Sequence, residues 1–178
     1  MTVTATEIAG LFVVRDELHE DERGFFRQTW QASSLARAIG RPIAFRQNNH
    51  SRSRAGVIRG FHAEPLDKLV YVPRGTARCA VADIRPESPT FGLALTFLLG
   101  DEPGERIRLF ISEGLANAFE ALTECDYIND VTHEYVPGSA RGIAWNDPTF
   151  GVPWTTATPI LSPADASLPT LADLVPRA

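Results

Sequence analysis

The segment from residue 59 to residue 70, RGFHAEPLDKLV, places an arginine, a histidine and a lysine around a turn that precedes an apolar run. Histidine is the side chain whose ordinary pKa allows it both to take up and to release a proton near neutral pH. General base catalysis needs such a side chain, and a nearby cation can stabilise negative charge that develops during a reaction. His62 and Lys68 therefore suit a catalytic base with an electrostatic helper, but the polar rim of a β-sheet would carry the same residue types.

A second polar group lies on the segment CDYINDVTHEYV, residues 125–136. Successive side chains of a β-strand point to opposite faces, so every second residue shares a face. One face of this predicted strand carries Tyr127, Asn129, Val131, His133 and Tyr135, and the other carries Ile128, Asp130 and Thr132. The first face is either the lining of a ligand cavity or the solvent side of a sheet, and periodicity alone leaves both open.

The rest of the chain predicts an all-β fold. Short alternating runs recur between turn signals supplied by 13 prolines and 13 glycines, which is typical of a β-sandwich or barrel. Strands are predicted at residues 11–18, 24–30, 43–50, 56–62, 68–73, 77–84, 93–100, 105–111, 118–123 and 125–136. One helix is predicted over residues 33–40, with Ser33 or Ser34 as N-cap and Gly40 after its end, and a late turn is expected near residues 163–168.

Length and composition indicate a single domain over residues 1–178. The chain is 44% hydrophobic and 22% charged, values of an ordinary globular protein. The Pro-rich C-terminal segment, residues 156–178, is expected to lie extended over the domain or over a partner. The net charge of -5, without any basic block, gives no electrostatic footprint for nucleic acid.

The cysteines and the N-terminus bear on the cellular compartment of the protein. Cys79 and Cys125 are too few for a disulfide framework and have no neighbour at metal-ligand spacing, so both are expected to be buried and reduced. The N-terminus lacks a basic start followed by an apolar core, and no apolar run approaches the roughly 18 residues that span a bilayer. We therefore expect a cytoplasmic protein without a membrane partner.

Seven motifs occur in an order and at separations that resemble one family. They are DERGFFRQTW, RQNNHSRSRAGVIRGFH, KLVYVPRG, AVADIRPESPTFG, ISEGLANAF, ARGIAWNDPTFGVPW and PILSPADASLP. Together they resemble the dTDP-4-dehydrorhamnose 3,5-epimerase family of cupins, from about residue 8 to residue 170. The resemblance implies a cupin-type jelly-roll β-sandwich with minor helices, a homodimer formed by pairing of sheets, and neither metal nor organic cofactor. The implied substrates are nucleotide-linked 4-keto sugars, most simply dTDP sugars.

The resemblance assigns catalytic roles to three residues. His62 matches the family's base, which inverts a carbon next to the ketone by removing its proton. Asp165 matches the carboxylate that orients this base, and Lys68 matches the lysine that stabilises the oxyanion. Taken alone, each would also fit an ordinary strand-end or helix-start residue.

The resemblance also implies a set of substrate-binding residues. Arginine has the forked donors that phosphate groups favour, and Arg59 and Arg23 match the family's pyrophosphate contacts, with Arg23 supplied by the other subunit. The amides and aromatic residues that match substrate or nucleotide contacts are Gln47, Asn49, Phe26 and Tyr135.

The chain departs from the family pattern within the site. Asn117 replaces a histidine, and Asn129 falls at the position of the tyrosine that acts as the acid opposite the base. An amide can hold a hydroxyl but does not carry a proton to carbon. Tyr127, two residues earlier on the same face, is a candidate replacement for the acid, and His133 is a candidate for proton transfer or a rim histidine.

Two further departures concern the substrate. Gln28 stands where the family tends to have an acidic residue associated with reading the thymine base, so the nucleotide need not be dTDP. The loop from His62 to Lys68 is shorter than usual, which could accommodate a different sugar.

We therefore predict an epimerase of a nucleotide-linked 4-keto (6-deoxy) sugar, acting at C3 only or with altered specificity. The alternatives are a full 3,5-epimerase, a ketoisomerase that uses the same enolate, and a non-catalytic nucleotide-sugar-binding cupin. A metal-dependent cupin using His50, His62 and His133 is disfavoured, because such cupins place two histidines one residue apart and this chain has no HxH.

Overall fold

The computed structural model describes residues 1–174, and antiparallel strands dominate it. The strands in chain order are β1 (Thr2–Ala5), β2 (Leu11–Arg15), β3 (Leu18–Asp21), β4 (Gly24–Arg27), β5 (Gln47–Ser53), β6 (Ile58–Ala63), β7 (Lys68–Arg74), β8 (Thr76–Asp83), β9 (Ala94–Gly100), β10 (Arg108–Ile111), β11 (Leu115–Ala121), β12 (Cys125–Val131) and β13 (Arg141–Ile143). The helical elements are α1 (Ala32–Ile39), a 3-10 turn (Asp165–Ser167) and α2 (Leu171–Leu174). Every helix within residues 1–174 falls short of the length and apolar character that a membrane span requires.

Two sheets face each other and form the sandwich. The six-stranded sheet has the order β1-β2-β10-β7-β12-β5, and the five-stranded sheet has the order β13-β6-β11-β8-β9. A separate hairpin pairs β3 with β4. The predicted fold class, an all-β cupin-type jelly roll with minor helices, is confirmed.

Apolar side chains fill the space between the sheets. Val70 and Val72 of the six-stranded sheet belong to the same buried cluster as Val81 and Phe119 of the five-stranded sheet. Burial of this apolar surface is the main favourable contribution to folding. The cluster supports one part of the interior, and the polar site described below occupies another.

The outer faces of both sheets are covered as well. Leu35 of α1 packs with Leu69 and Phe110 on the six-stranded sheet. Small side chains on the five-stranded sheet, such as Ala80 and Ala116, are buried together with residues of the C-terminal half that include Phe150 and Leu171. This double coverage explains why β8 and β11 are apolar on both faces instead of alternating.

The helix prediction is confirmed, but its N-cap is different. Gln31 occupies the N-cap position, and Ser34 donates to the Gln31 side-chain oxygen at 3.1 Å instead of capping the helix. Gly40 ends the helix with a φ of 82°, a left-handed conformation that glycine adopts without steric cost. Its N–H donates to the Ala36 carbonyl at 2.9 Å.

Several predicted strand bounds are wrong. The strand predicted over residues 11–18 is interrupted and continues as β3, and the strand predicted over residues 43–50 begins only at Gln47. The strand predicted over residues 125–136 ends at Val131, so His133 and Tyr135 lie beyond the ladder. Thr132 donates its backbone N–H to the Asp67 carbonyl instead, which redirects the chain.

The C-terminal segment runs along the domain and places Asp165 against β6. Ile160 forms a parallel bridge with Val57, and the Leu171 N–H donates to the buried Asp147 carboxylate at 2.6 Å. The 3-10 turn confirms the turn predicted near residues 163–168. The last part of the predicted segment, residues 175–178, lies outside the described residues.

Candidate active site

A cavity of about 390 Å³ opens between the two sheets, within the range of small-molecule sites. The five-stranded sheet contributes His62 and Asn117 to its lining. The six-stranded sheet contributes Lys68 and Asn129. A flat ligand in this cavity therefore meets His62 from one sheet and the lysine and amides from the other.

A β-bulge brings Arg59 and His62 to the same cavity. In the pairing of β6 with β11, His62 lies opposite Asn117 and Arg59 lies opposite Phe119, so three steps along β6 correspond to two along β11. Regular alternation would send residues three apart to opposite faces, and the extra residue restores them to one face. The bulge thus places a guanidinium beside the histidine.

The His62 ring is held by Asp165. Its Nε2 atom lies 2.8 Å from Asp165 Oδ1, so the carboxylate holds the ring proton on Nε2 and leaves the Nδ1 lone pair free. Asp165 is in turn held by Ser162, whose hydroxyl donates to Oδ2 at 2.9 Å and accepts from the Asp165 N–H at 3.0 Å. The arrangement is that of an oriented general base.

A glycine allows this approach. A Cβ at Gly60 would lie 3.4 Å from Asp165 Oδ1 and 3.3 Å from a methyl group of Leu168. Any larger side chain at that position would push the C-terminal turn away from β6. Gly60 and Ser162 are thus positioning residues that the sequence analysis did not identify.

Lys68 is buried and paired with Glu64, a residue that the sequence analysis also missed. The Lys68 ammonium lies 2.5 Å from the Glu64 carboxylate and donates to the His62 carbonyl at 3.4 Å. Both side chains line the cavity. The separation of four residues was visible in the sequence, but such spacing indicates a contact only in a helix, and these residues flank a loop.

Asn117 and Tyr127 form a polar contact at the floor of the cavity. The Tyr127 hydroxyl donates to Asn117 Oδ1 at 3.2 Å, and Asn117 Nδ2 lies 3.1 Å from the Cys79 sulfur. The Tyr127 ring stacks on Phe119 with centroids 4.1 Å apart. Asn117 therefore holds a tyrosine of the opposite sheet.

Burial controls the ionisation of the Tyr127 hydroxyl and the Cys79 thiol at the floor of the cavity. It raises the pKa of Tyr127 well above 10, and the neighbouring Cys79 thiol adds to the effect. Burial likewise raises the pKa of Cys79 to about 11, against hydrogen bonds from Tyr127 and Asn117 that lower it. Both groups are neutral at physiological pH, and a phenolate at Tyr127 would be costly.

The predicted amide residues meet on the cavity face of the six-stranded sheet. Gln47 lies opposite Val131, and Asn49 lies opposite Asn129 in the pairing of β5 with β12. Tyr135 lines the cavity although it lies beyond the end of β12, because its backbone N–H donates to Gln47 Oε1 at 2.9 Å.

Four of the predicted site residues lie away from this cavity in the same chain. His133 lines a different groove, with Arg41 and Asp67. Arg23 and Phe26 lie on the exposed β3–β4 hairpin, where Arg23 is paired with Asp21 and Phe26 is 65% exposed. Gln28 follows the hairpin and accepts a hydrogen bond from Gln31 at 2.6 Å.

The histidines considered for a metal site are held by different partners. His50 and His62 both line the cavity, but His50 Nε2 is paired with Asp126 at 3.1 Å and His62 Nε2 with Asp165 at 2.8 Å. His133 lines another groove. Within residues 1–174, His, Cys, Asp and Glu side chains form no cluster of three or more that could hold a metal ion.

Fold and site together define a cupin-type enzyme equipped to remove a proton beside a carbonyl group. The model of the family described as dTDP-4-dehydrorhamnose 3,5-epimerase matches residues 5–173. The chain belongs to this family, and it is a sugar epimerase by class.

Individual relatives agree with this assignment. The chain is similar to the dTDP-4-dehydrorhamnose 3,5-epimerase of Escherichia coli K12, with 35% identity over 98% of this chain and 97% of the relative. It is similar to the dTDP-4-dehydrorhamnose 3-epimerase of Streptomyces niveus, with 33% identity over 93% of this chain and 82% of the relative. Among solved structures, a 4-keto-6-deoxy sugar epimerase from the novobiocin biosynthetic gene cluster of Streptomyces spheroides superimposes with a TM-score of 0.93 and 32% identity, covering 97% of this chain and 88% of that chain.

Proposed function

We propose that the protein epimerises a dTDP-linked 4-keto-6-deoxy sugar at one carbon next to the ketone, C3. The observation that carries the proposal is His62 of the five-stranded sheet, held by Asp165 of the 3-10 turn, with Lys68 lining the same cavity from the other sheet. The relatives that act on dTDP-4-dehydrorhamnose, by their names, support the substrate class.

The reaction begins with proton removal by His62. The Nδ1 lone pair takes the proton of the carbon next to the ketone, while Asp165 accepts the hydrogen bond from Nε2 and stabilises the imidazolium that forms. The electron pair moves to the keto oxygen, where the Lys68 ammonium stabilises the enolate. Arg59 is placed to bind the diphosphate at the same cavity.

Inversion is complete when a proton returns from the opposite side. Tyr127 is the proton-bearing aromatic side chain on the facing sheet, but its hydroxyl already donates to Asn117 Oδ1 and its burial makes a phenolate costly. In this proposal, a water molecule that enters the cavity gives a proton to the carbon. The hydroxide that remains takes the proton of the His62 imidazolium through solvent, which restores water and a neutral histidine. Restriction to one carbon is supported by Asn129 at the position of the family's acid, and by the Streptomyces niveus relative named as a 3-epimerase.

The active unit in this proposal is a homodimer. The β3–β4 hairpin is paired with neither large sheet and exposes Phe25 and Phe26. Exposed apolar side chains of this kind are typical of contact surfaces. Docked on a second copy, the hairpin would deliver Arg23 and Phe26 to the partner's nucleotide.

Light scattering should then give twice the mass of one chain. Arg23→Ala should weaken dTDP binding by about tenfold, as expected for loss of a charged hydrogen bond. A protein that is monomeric in solution, and that binds dTDP equally well with and without Arg23→Ala, would contradict a site shared between two subunits.

Proton NMR in deuterium oxide tests the reaction itself. The protein is incubated with dTDP-4-keto-6-deoxyglucose, and we expect deuterium at C3 together with the inverted C3 product. Exchange at both C3 and C5 would favour the full 3,5-epimerase. Binding of the dTDP sugar without exchange would favour the non-catalytic cupin, and movement of the carbonyl would favour the ketoisomerase.

A further inference from the structure

The side-chain carboxamides of Gln47, Asn49 and Asn129 are linked by hydrogen bonds into a row on the cavity face, which we call the amide chain. Gln47 Nε2 donates to Asn49 Oδ1 at 2.6 Å, and Asn49 Nδ2 donates to Asn129 Oδ1 at 2.7 Å. The chain begins at the Tyr135 backbone N–H, which donates to Gln47 Oε1 at 2.9 Å.

One backbone N–H group fixes which side chain donates and which accepts at every link of the amide chain. The oxygen and nitrogen of an amide side chain can be interchanged by a flip, and only the surrounding hydrogen bonds decide between the two orientations. A backbone N–H is always a donor, so Gln47 must present its oxygen to Tyr135 and its NH2 group to Asn49. Asn49 must then accept from Gln47 and donate to Asn129.

The last amide of the chain is consequently a donor toward the cavity. Asn129 uses Oδ1 to accept from Asn49, and its Nδ2 has no hydrogen-bond partner among residues 1–174. The nitrogen of a planar carboxamide points away from its oxygen, so Nδ2 points away from β5 and Asn49. Asn129 lines the cavity, so this unpaired donor can meet a bound ligand.

Lys68 lies next to this donor on the same face. Asn129 is opposite Val70, and Val131 is opposite Lys68 in the pairing of β12 with β7. Lys68 and Asn129 are thus diagonal neighbours, a relationship in which long side chains reach one another. The Lys68 ammonium has three N–H groups, and its contacts with Glu64 and His62 leave one for a ligand.

From this geometry we infer that Asn129 Nδ2 and Lys68 Nζ together form a two-donor site for the keto oxygen of the sugar. The inference rests on the proposed function and adds a role for Asn129. The electron pair released when His62 takes the proton moves to this oxygen, where an amide N–H and an ammonium N–H both stabilise the negative charge. Asn129 is therefore an oxyanion-binding residue, at the position where the resembled family has a proton-donating tyrosine.

Two substitutions at Asn129 test the inference. Asn129→Asp keeps the oxygen that accepts from Asn49 and removes the donor toward the cavity, whereas Asn129→Ala removes both without adding a charge. We expect each to lower kcat for C3 proton exchange with dTDP-4-keto-6-deoxyglucose by about 100-fold, the usual effect of losing an oxyanion donor. The Kd of dTDP alone should change by less than about threefold, because the two-donor site binds the sugar and not the nucleotide.

The matched control is Asn48→Ala. Asn48 lies on the same strand, but its amide donates to Asp130 on the other face of the sheet, so exchange should stay within about twofold of the wild type. Near-ultraviolet circular dichroism and thermal unfolding verify that each variant is folded. Lys68→Met combined with Asn129→Ala should lose less activity than the product of the two single losses, because both donors act on one oxygen.

Several results would overturn the inference. Retention of kcat by Asn129→Ala, with loss only in Asn129→Asp, would attribute the effect to the added charge. An equal weakening of dTDP binding would place Asn129 at the nucleotide. A wild-type protein that binds dTDP but exchanges no proton would refute the proposed reaction itself, which separates that outcome from a failure at Asn129.

Discussion

His62 Nε2 lies 2.8 Å from Asp165 Oδ1, joining residues 103 positions apart in the chain. The contact links β6 of the five-stranded sheet to the 3-10 turn of the C-terminal segment. The carboxylate fixes the ring orientation and the tautomer, so the proposed base is assembled only when the C-terminal segment is in place.

Loss of either partner should remove proton exchange. We expect His62→Ala to lower the C3 exchange rate by at least about 10³-fold, because a positioned base contributes that much. Asp165→Asn should lower it by about 10²-fold or more, because an amide does not stabilise the imidazolium and can hold the wrong tautomer. The rates are measured by proton NMR in deuterium oxide.

The control for this pair is Arg74→Ala. Arg74 lies at the end of β7, outside the cavity lining, and forms an exposed ion pair with Glu124. Its loss should leave exchange within about twofold, since exposed ion pairs contribute little. Equal activity losses in Arg74→Ala and His62→Ala would show that the effects come from general destabilisation.

Tyr127→Phe separates two routes of proton return. Burial raises the pKa of Tyr127 well above 10, so the hydroxyl holds its proton firmly, and it already donates to Asn117. We expect the variant to keep the rate of C3 inversion within about threefold of the wild type, with a loss of stability of about 1 kcal/mol from the missing hydrogen bond. A variant that exchanges the C3 proton normally but no longer inverts the carbon would identify Tyr127 as the acid.

Glu64→Gln should destabilise the protein through Lys68. The substitution leaves a buried ammonium without its carboxylate, and breaking a buried pair on one side costs a few kcal/mol. Because Glu64 is partly exposed, we expect a loss of about 2 kcal/mol in the free energy of unfolding, measured by urea denaturation.

The double variant Glu64→Gln/Lys68→Met should recover part of this loss, because no unpaired charge remains. Glu124→Gln, which breaks the exposed pair of Glu124 with Arg74, should cost less than about 1 kcal/mol. A cost at Glu64 no larger than this control would contradict the importance of the Lys68 pair.

Asp83 predicts an acid-sensitive stability. Burial alone would raise the pKa of this carboxyl group, but hydrogen bonds from Arg85, Ser88 and Thr90 outweigh it and lower the pKa well below 3.8. A carboxylate whose pKa is lower in the folded state stabilises the fold above its unfolded pKa of about 4, and this contribution disappears as the pH falls below that value.

The comparison with Asp83→Asn measures this contribution. We expect the free energy of unfolding to be higher in the wild type by about 2–4 kcal/mol from pH 7 to about pH 5, and the difference to narrow below about pH 4. Asp101→Asn, at an exposed position, should show no such difference. A gap between wild type and Asp83→Asn that stays constant down to pH 2 would refute the linkage.

The sequence predicted the sandwich and the chemistry of the base. Alternating apolar and polar residues between turns predict sheets with one buried face. His62, Lys68 and Asp165 are the residue types that a reaction through an enolate needs. Alternation also predicted that Tyr127 and Asn129 share one face of β12, but it left open whether that face lines a cavity. These features depend on patterns among residues that are close in sequence, so they can be read without knowledge of the fold.

The tertiary structure decided which residues share the cavity. A bulge in β6 places Arg59 with His62 against the rule of alternation, and the end of β12 at Val131 directs His133 to another groove. The partner of Lys68 is Glu64, and the direction of the Asn129 amide is fixed by the Tyr135 backbone. Bulges, strand ends and hydrogen-bond directions depend on neighbouring strands that are distant in sequence, so no local pattern of residues encodes them.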